Sequence, residues 1–84
     1  MNELFIQAET LQNLLISRAT GGQENNVEYT RLRQTVLANA AFETLVPQFI
    51  KTCRNLDQFW QFIKYKFGSY AERRNYIWSE FSSL

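Results

Sequence analysis

Apolar residues fall at helical spacing along most of this chain. Leu4, Ala8, Leu11 and Leu15 follow one another at four, three and four, and Phe5 and Leu14 widen the stripe. This periodicity predicts a helix over residues 3–19. Thr20-Gly21-Gly22 should end it, because glycine takes the left-handed backbone that closes a helix without steric cost. Residues 21–26 are the most loop-like stretch in the chain. Asn25 or Asn26 then caps a second helix, and Asn25 with Glu28 has the spacing of a capping box. Tyr29, Leu32, Val36 and Leu37 form its buried face. Arg31 and Arg33 are expected to face water, Arg33 at the border.

Residues 40–46 fit either a short helix or a turn. Pro47 sets the next boundary, since proline suits a first helical turn and disfavours helix in the residue before it. A further major helix is expected from there, with Phe49, Ile50 and Cys53 inward. Asn55 and Gln58 form another capping-box pair. Behind them Leu56, Phe59, Trp60, Ile63 and Phe67 make the clearest amphipathic pattern in the sequence. Gly68 sits at the expected helix end. Ser69 and Glu72 open a last helix with Tyr70, Ile77, Phe81 and Leu84 along one face. Alternation at period two never persists, so no strand is predicted. The expected fold is all-α, a compact bundle of five to six short helices.

Length and composition then limit what such a bundle can do. Eighty-four residues make one domain, spanning 1–84. A chain this short hides only about 60–65% of the surface its unfolded form exposes. Seven Phe, four Tyr and two Trp supply a large share of the core. The core nearly reaches Leu84, which is expected of the N-terminal part of a longer protein. The first residues carry an acid where a signal peptide carries bases, and no apolar run approaches the ~20 residues that span a bilayer. One cysteine forms no intramolecular disulfide and fits the reducing cytoplasm. The expected location is therefore cytoplasmic, with no membrane partner.

Catalytic chemistry finds little to work with. The chain has no histidine, which removes the commonest general base near neutral pH and the commonest zinc ligand. Cys53 lies on an apolar face and is read as packing. Glu24 and Glu28 are read as solvated helix-terminus charges. Gly21-Gly22 lacks the repeated glycines and preceding strand of a phosphate loop. No catalytic, metal or cofactor residues are assigned, and the chain is not expected to be an enzyme.

Charge offers more. Residues 1–44 carry Arg18, Arg31 and Arg33 against Glu3, Glu9, Glu24, Glu28 and Glu43, a net of −2; residues 45–84 carry Lys51, Arg54, Lys64, Lys66, Arg73 and Arg74 against Asp57, Glu72 and Glu80, a net of +3. Two faces of opposite sign suit association between copies or relatives. The expected interaction residues are Lys64, Lys66, Arg73 and Arg74 on a basic surface and Glu3, Glu9, Glu24 and Glu28 on an acidic one. Tyr65, Tyr70 and Trp78 interleave with the basic set, a composition that also fits a nucleic-acid sensor. A pI near 7.9 is low for a dedicated one. An exposed Phe62 or Tyr65 would strengthen an interface, and Phe62 is the aromatic expected to be left over.

Five stretches carry a resemblance. They are residues 14–22 (LLISRATGG), 28–33 (EYTRLR), 45–54 (LVPQFIKTCR), 58–64 (QFWQFIK) and 70–74 (YAERR). As an ordered set they resemble a short helical module at the start of bacterial abortive-infection and other antiphage proteins, similar to effector-associated, death-fold-like domains. The resemblance covers nearly the whole chain. It implies a non-enzymatic adaptor that joins an effector or sensor to a partner by like-with-like contact, sometimes by oligomerising. It also implies a six-helix bundle, with residues 40–46 as the sixth helix.

Overall fold

The stripe at 4, 8, 11 and 15 becomes the buried side of α1, Glu3–Ala19. The computed structural model describes residues 3–23 and 25–82, and among these no strand forms. Leu11 and Leu15 are fully enclosed, each worth about 1.5–3 kcal/mol relative to exposure. Gly21 closes α1 at φ +96°. The Gly22 amide then donates back to the Ser17 carbonyl at 2.6 Å, and the Thr20 hydroxyl donates to Ile16. The first is the backbone bond that closes a helix ending in a left-handed residue, and the second is a side-chain bond to a carbonyl one turn back.

α2 spans Asn26–Leu37 and buries Tyr29, Leu32 and Val36. Asn25 is its cap, accepting from the Glu28 amide at 3.2 Å. Only this half of the capping box forms, because the Glu28 carboxylate pairs with Arg31 at 2.6 Å. Asn26 does different work. Its side-chain oxygen accepts from the Leu56 amide at 2.9 Å and so ties the start of α2 to the start of a helix thirty residues on.

Residues 40–46 resolve as a single helical turn, α3 (Ala40–Glu43), capped by Asn39. Leu45 and Val46 then donate back to the Phe42 carbonyl. α4 starts directly after Pro47, as the proline predicts, but spans only Gln48–Thr52. It is short because Cys53 is already extended and α2 takes over its free carbonyls. Arg33 donates through Nε to Ile50 at 2.7 Å and through Nη2 to Lys51 at 3.0 Å. The Tyr29 hydroxyl donates to the Cys53 carbonyl. Arg33 is thus half-buried and engaged, not turned to water. A guanidinium presents parallel donors that two neighbouring carbonyls can share.

α5, Leu56–Lys66, encloses Leu56, Phe59 and Ile63 completely. Asn55 accepts from the Gln58 amide, while the Gln58 side chain accepts from Arg54, one residue before the position a capping box uses. The helix ends with Phe67 in extended conformation at φ −136°. Gly68 is not left-handed, and a side chain there would meet open space. The glycine expected to end this helix therefore does not do so by backbone freedom.

α6, Tyr70–Glu80, starts at a Ser69 cap whose hydroxyl also donates to Glu72. Ile77 and Phe81 face inward as expected. Tyr70 does not; its ring is 53% exposed, and Arg73 takes the inward position one turn before Ile77. Leu84 lies outside the described residues.

The described residues form an all-α bundle of six helices with α1 at its centre, packed against α2, α5 and α6. At its aromatic end Phe49 packs against Phe59, Phe62, Tyr76 and Phe81, with ring centroids 5.5–6.5 Å apart. Such pairs add about 0.5–1.5 kcal/mol beyond their area. Among the described residues no helix is long and apolar enough to cross a membrane.

Burial also makes the fold sensitive to alkali. It raises the Tyr29 hydroxyl far above its usual range and pushes Tyr76, which also faces Glu80, up to about 12. Both hydroxyls lose protons more easily in the unfolded chain. Their contribution is therefore complete below about pH 10 and falls as pH rises toward the folded values. The urea midpoint should fall between about pH 10 and 12. Tyr29→Phe should shrink that fall while lowering stability at neutral pH by roughly 1–2 kcal/mol. An equal alkaline fall in Tyr29→Phe and wild type would contradict the assignment.

Candidate interaction surface

Helices α1 and α5 both end where α6 begins, so two sets of free carbonyls meet in one place. Arg73 answers both. Its side chain is 8% exposed. Nε donates to Phe67 at 3.0 Å and Nη1 to Ala19 at 3.2 Å. This corrects the expectation of an exposed basic residue at 73. The guanidinium is a buried tie between helix ends, and its charge faces backbone dipoles that favour a cation there.

Arg73 also lies 5.2 Å from the Trp60 ring centroid. Two more cations share that ring. The Arg18 guanidinium carbon is 4.4 Å away and the Lys64 ammonium 5.8 Å away. Arg18 had no place among the expected site residues, because residues 1–44 are acidic overall. The available signal was positional: Arg18 follows Leu11 and Leu15 at the edge of the buried stripe, in the last turn of α1. Its Nε lacks solvent contact and has no hydrogen-bond partner among the described residues.

The remaining basic residues stay near the surface. Lys64 and Arg74 are half-buried, and Lys66 is exposed. Lys66 covers the rings of Phe62, Phe67 and Tyr76 at 5.3–5.9 Å, and Arg74 lies 5.8 Å from Trp78. None of the three pairs with a carboxylate among the described residues, where the ion pair is Arg31 with Glu28. Tyr65 is 81% exposed and Trp78 49%. Phe62, the aromatic expected to be left over, is instead half-buried against Phe49 at 5.5 Å.

The acidic set separates as well. Glu3 and Glu9 are exposed on the first half of α1. Glu28 is engaged with Arg31, and Glu24 lies outside the described residues. Glu9 borders an open groove of about 310 Å³ lined by Phe5, Ala8, Gln12, Asn13 and Phe81. Phe5 is half-exposed there, its edge on Phe42 at 5.1 Å. Glu9 and Arg18 stand about 13 Å apart along the helix axis. One helix therefore carries an acidic, partly apolar region at one end and the cationic, aromatic centre at the other.

Cys53 is buried, and that burial raises its thiol, which opposes nucleophilic use. Among the described residues no cluster of potential metal ligands occurs. No family model matches the chain, and neither does any curated protein or solved structure.

The tie and the surface cation make opposite predictions. Arg73→Met should lower unfolding stability by roughly 2–3 kcal/mol, since it strands buried carbonyls. Arg73→Lys should recover part of that. Arg74→Met should stay within about 0.5 kcal/mol of wild type. Equal urea midpoints for Arg73→Met and Arg74→Met would contradict the placement of Arg73.

Proposed function

We propose that this chain is a non-enzymatic protein-interaction domain of a bacterial antiphage system. It acts in the cytoplasm as an adaptor that recruits or regulates an effector through contacts with a second copy or a related death-like domain. The observation that supports this most is the polarity of the surface: Lys64, Lys66 and Arg74, which pair with no carboxylate among the described residues, beside exposed Tyr65 and Trp78, against Glu3 and Glu9 beside half-exposed Phe5. Complementary charge selects and orients partners, and aromatic area supplies the contact. The six-helix count is compatible with a death-like bundle.

A surface of this kind joins unlike faces, so it propagates from copy to copy. Light scattering at high concentration should report association that weakens with salt. Lys66→Glu with Arg74→Glu should abolish it without unfolding the chain, and so should Glu3→Lys with Glu9→Lys. Mixing the two variants should restore a complex limited to their intact faces. A wild type that remains monomeric and retains no partner in pull-downs would sink the proposal. A nucleic-acid sensor is the alternative, favoured by the exposed rings beside Lys64 and Arg74. It requires strand binding whose affinity falls steeply with salt.

A further inference from the structure

We propose that the Trp60 centre binds a small phosphate-bearing anion. Arg18 from α1, Lys64 from α5 and Arg73 from α6 bring three positive charges within 6 Å of one ring centroid. No carboxylate pairs with any of them among the described residues. Like charges gathered around one ring repel one another, and a counter-ion lowers that repulsion.

Hydrogen-bonding capacity points the same way. Arg73 commits Nε and Nη1 to backbone carbonyls and keeps further guanidinium N–H groups uncommitted. Among the described residues Lys64 donates to no hydrogen-bond acceptor, and the Nε–H of Arg18 is shielded from solvent yet unpartnered. Buried N–H groups normally have an acceptor. Phosphate oxygens supply several acceptors at once, and a guanidinium fork matches their geometry.

The neighbouring rings indicate what else such an anion can carry. Trp60 is half-buried among the three cations, which leaves little of it for a ligand ring. Tyr65 and Tyr70 are exposed and lie 5.3 Å from Lys64 and 5.7 Å from Arg73. A nucleotide with its phosphates at the cations would find a stacking surface on one of them. The inference does not depend on self-association, and it uses different residues from those reversed in the association test.

Trp60 is its own reporter. Trp78→Phe leaves it the only indole in the chain. Tripolyphosphate and ATP are titrated into that protein, with sodium chloride at matched ionic strength as the control. The site predicts a saturable change in Trp60 emission for tripolyphosphate and a rise in melting temperature. Arg18→Gln and Lys64→Gln should each weaken binding about tenfold, the loss of one charge-assisted contact, whereas Lys51→Gln should not. Lys64 is on the surface side of α5, so its variant remains informative if Arg18→Gln is unstable. ATP binding tighter than tripolyphosphate extends the site to a tyrosine; equal binding confines it to phosphate. A response no different from chloride overturns the proposal, as does saturable binding indifferent to both substitutions. Binding of a single-stranded oligonucleotide by a chain that ignores both small anions also overturns it.

Discussion

The junction of α1, α5 and α6 depends on one guanidinium. Two helices end together against the start of a third, and Arg73 donates to both ends from a nearly solvent-free position. A buried charge is costly unless its surroundings replace the water it lost. Here carbonyls at two helix C-termini do so, and the Trp60 ring faces the cation at 5.2 Å. With Arg73 inward, Tyr70 is displaced to the surface and Arg18 and Lys64 gather around the same ring. The tie therefore shapes the surface as well as the core.

Arg33 repeats the device on a smaller scale at the end of α4. At both sites an arginine from another helix supplies donors to carbonyls at a helix end. α4 is five residues long; Arg33 and Tyr29 of α2 hold the carbonyls at its end, and Phe49 anchors it in the rings of α5 and α6. Of the nine lysines and arginines in the sequence, these two are committed to backbone carbonyls. Neither therefore offers a partner its full fork of donors.

Helix periodicity and caps were legible in the sequence because they are local. The stripe at 8, 11 and 15 and the asparagine and serine caps depend on residues within one or two turns. The destinations of long cationic side chains depend on which distant carbonyls lack donors, and that is a tertiary fact. Arg73 shares its surroundings with Ala19, fifty-four positions away. Arg18 was hidden for the same reason, since a charge sum over residues 1–44 assigns it to the acidic half. Phe62 lies beside the main stripe of α5 and reads as spare until Phe49 arrives from a different helix. Gly68 stands where a helix ends, but the conformation there asks nothing of glycine.

The candidate surface follows from this division between committed and uncommitted cations. Lys66 and Arg74 remain for a partner, and Arg18 and Lys64 surround a ring with donors to spare. Exchange of arginine Nε protons measured by NMR distinguishes the two classes directly. Arg73 and Arg33 should exchange slowly, because each Nε–H is held by a backbone carbonyl, while Arg74 and Arg54 exchange fast. An Arg73 Nε–H that exchanges as fast as that of Arg74 would contradict the tie on which the fold and its surface are built.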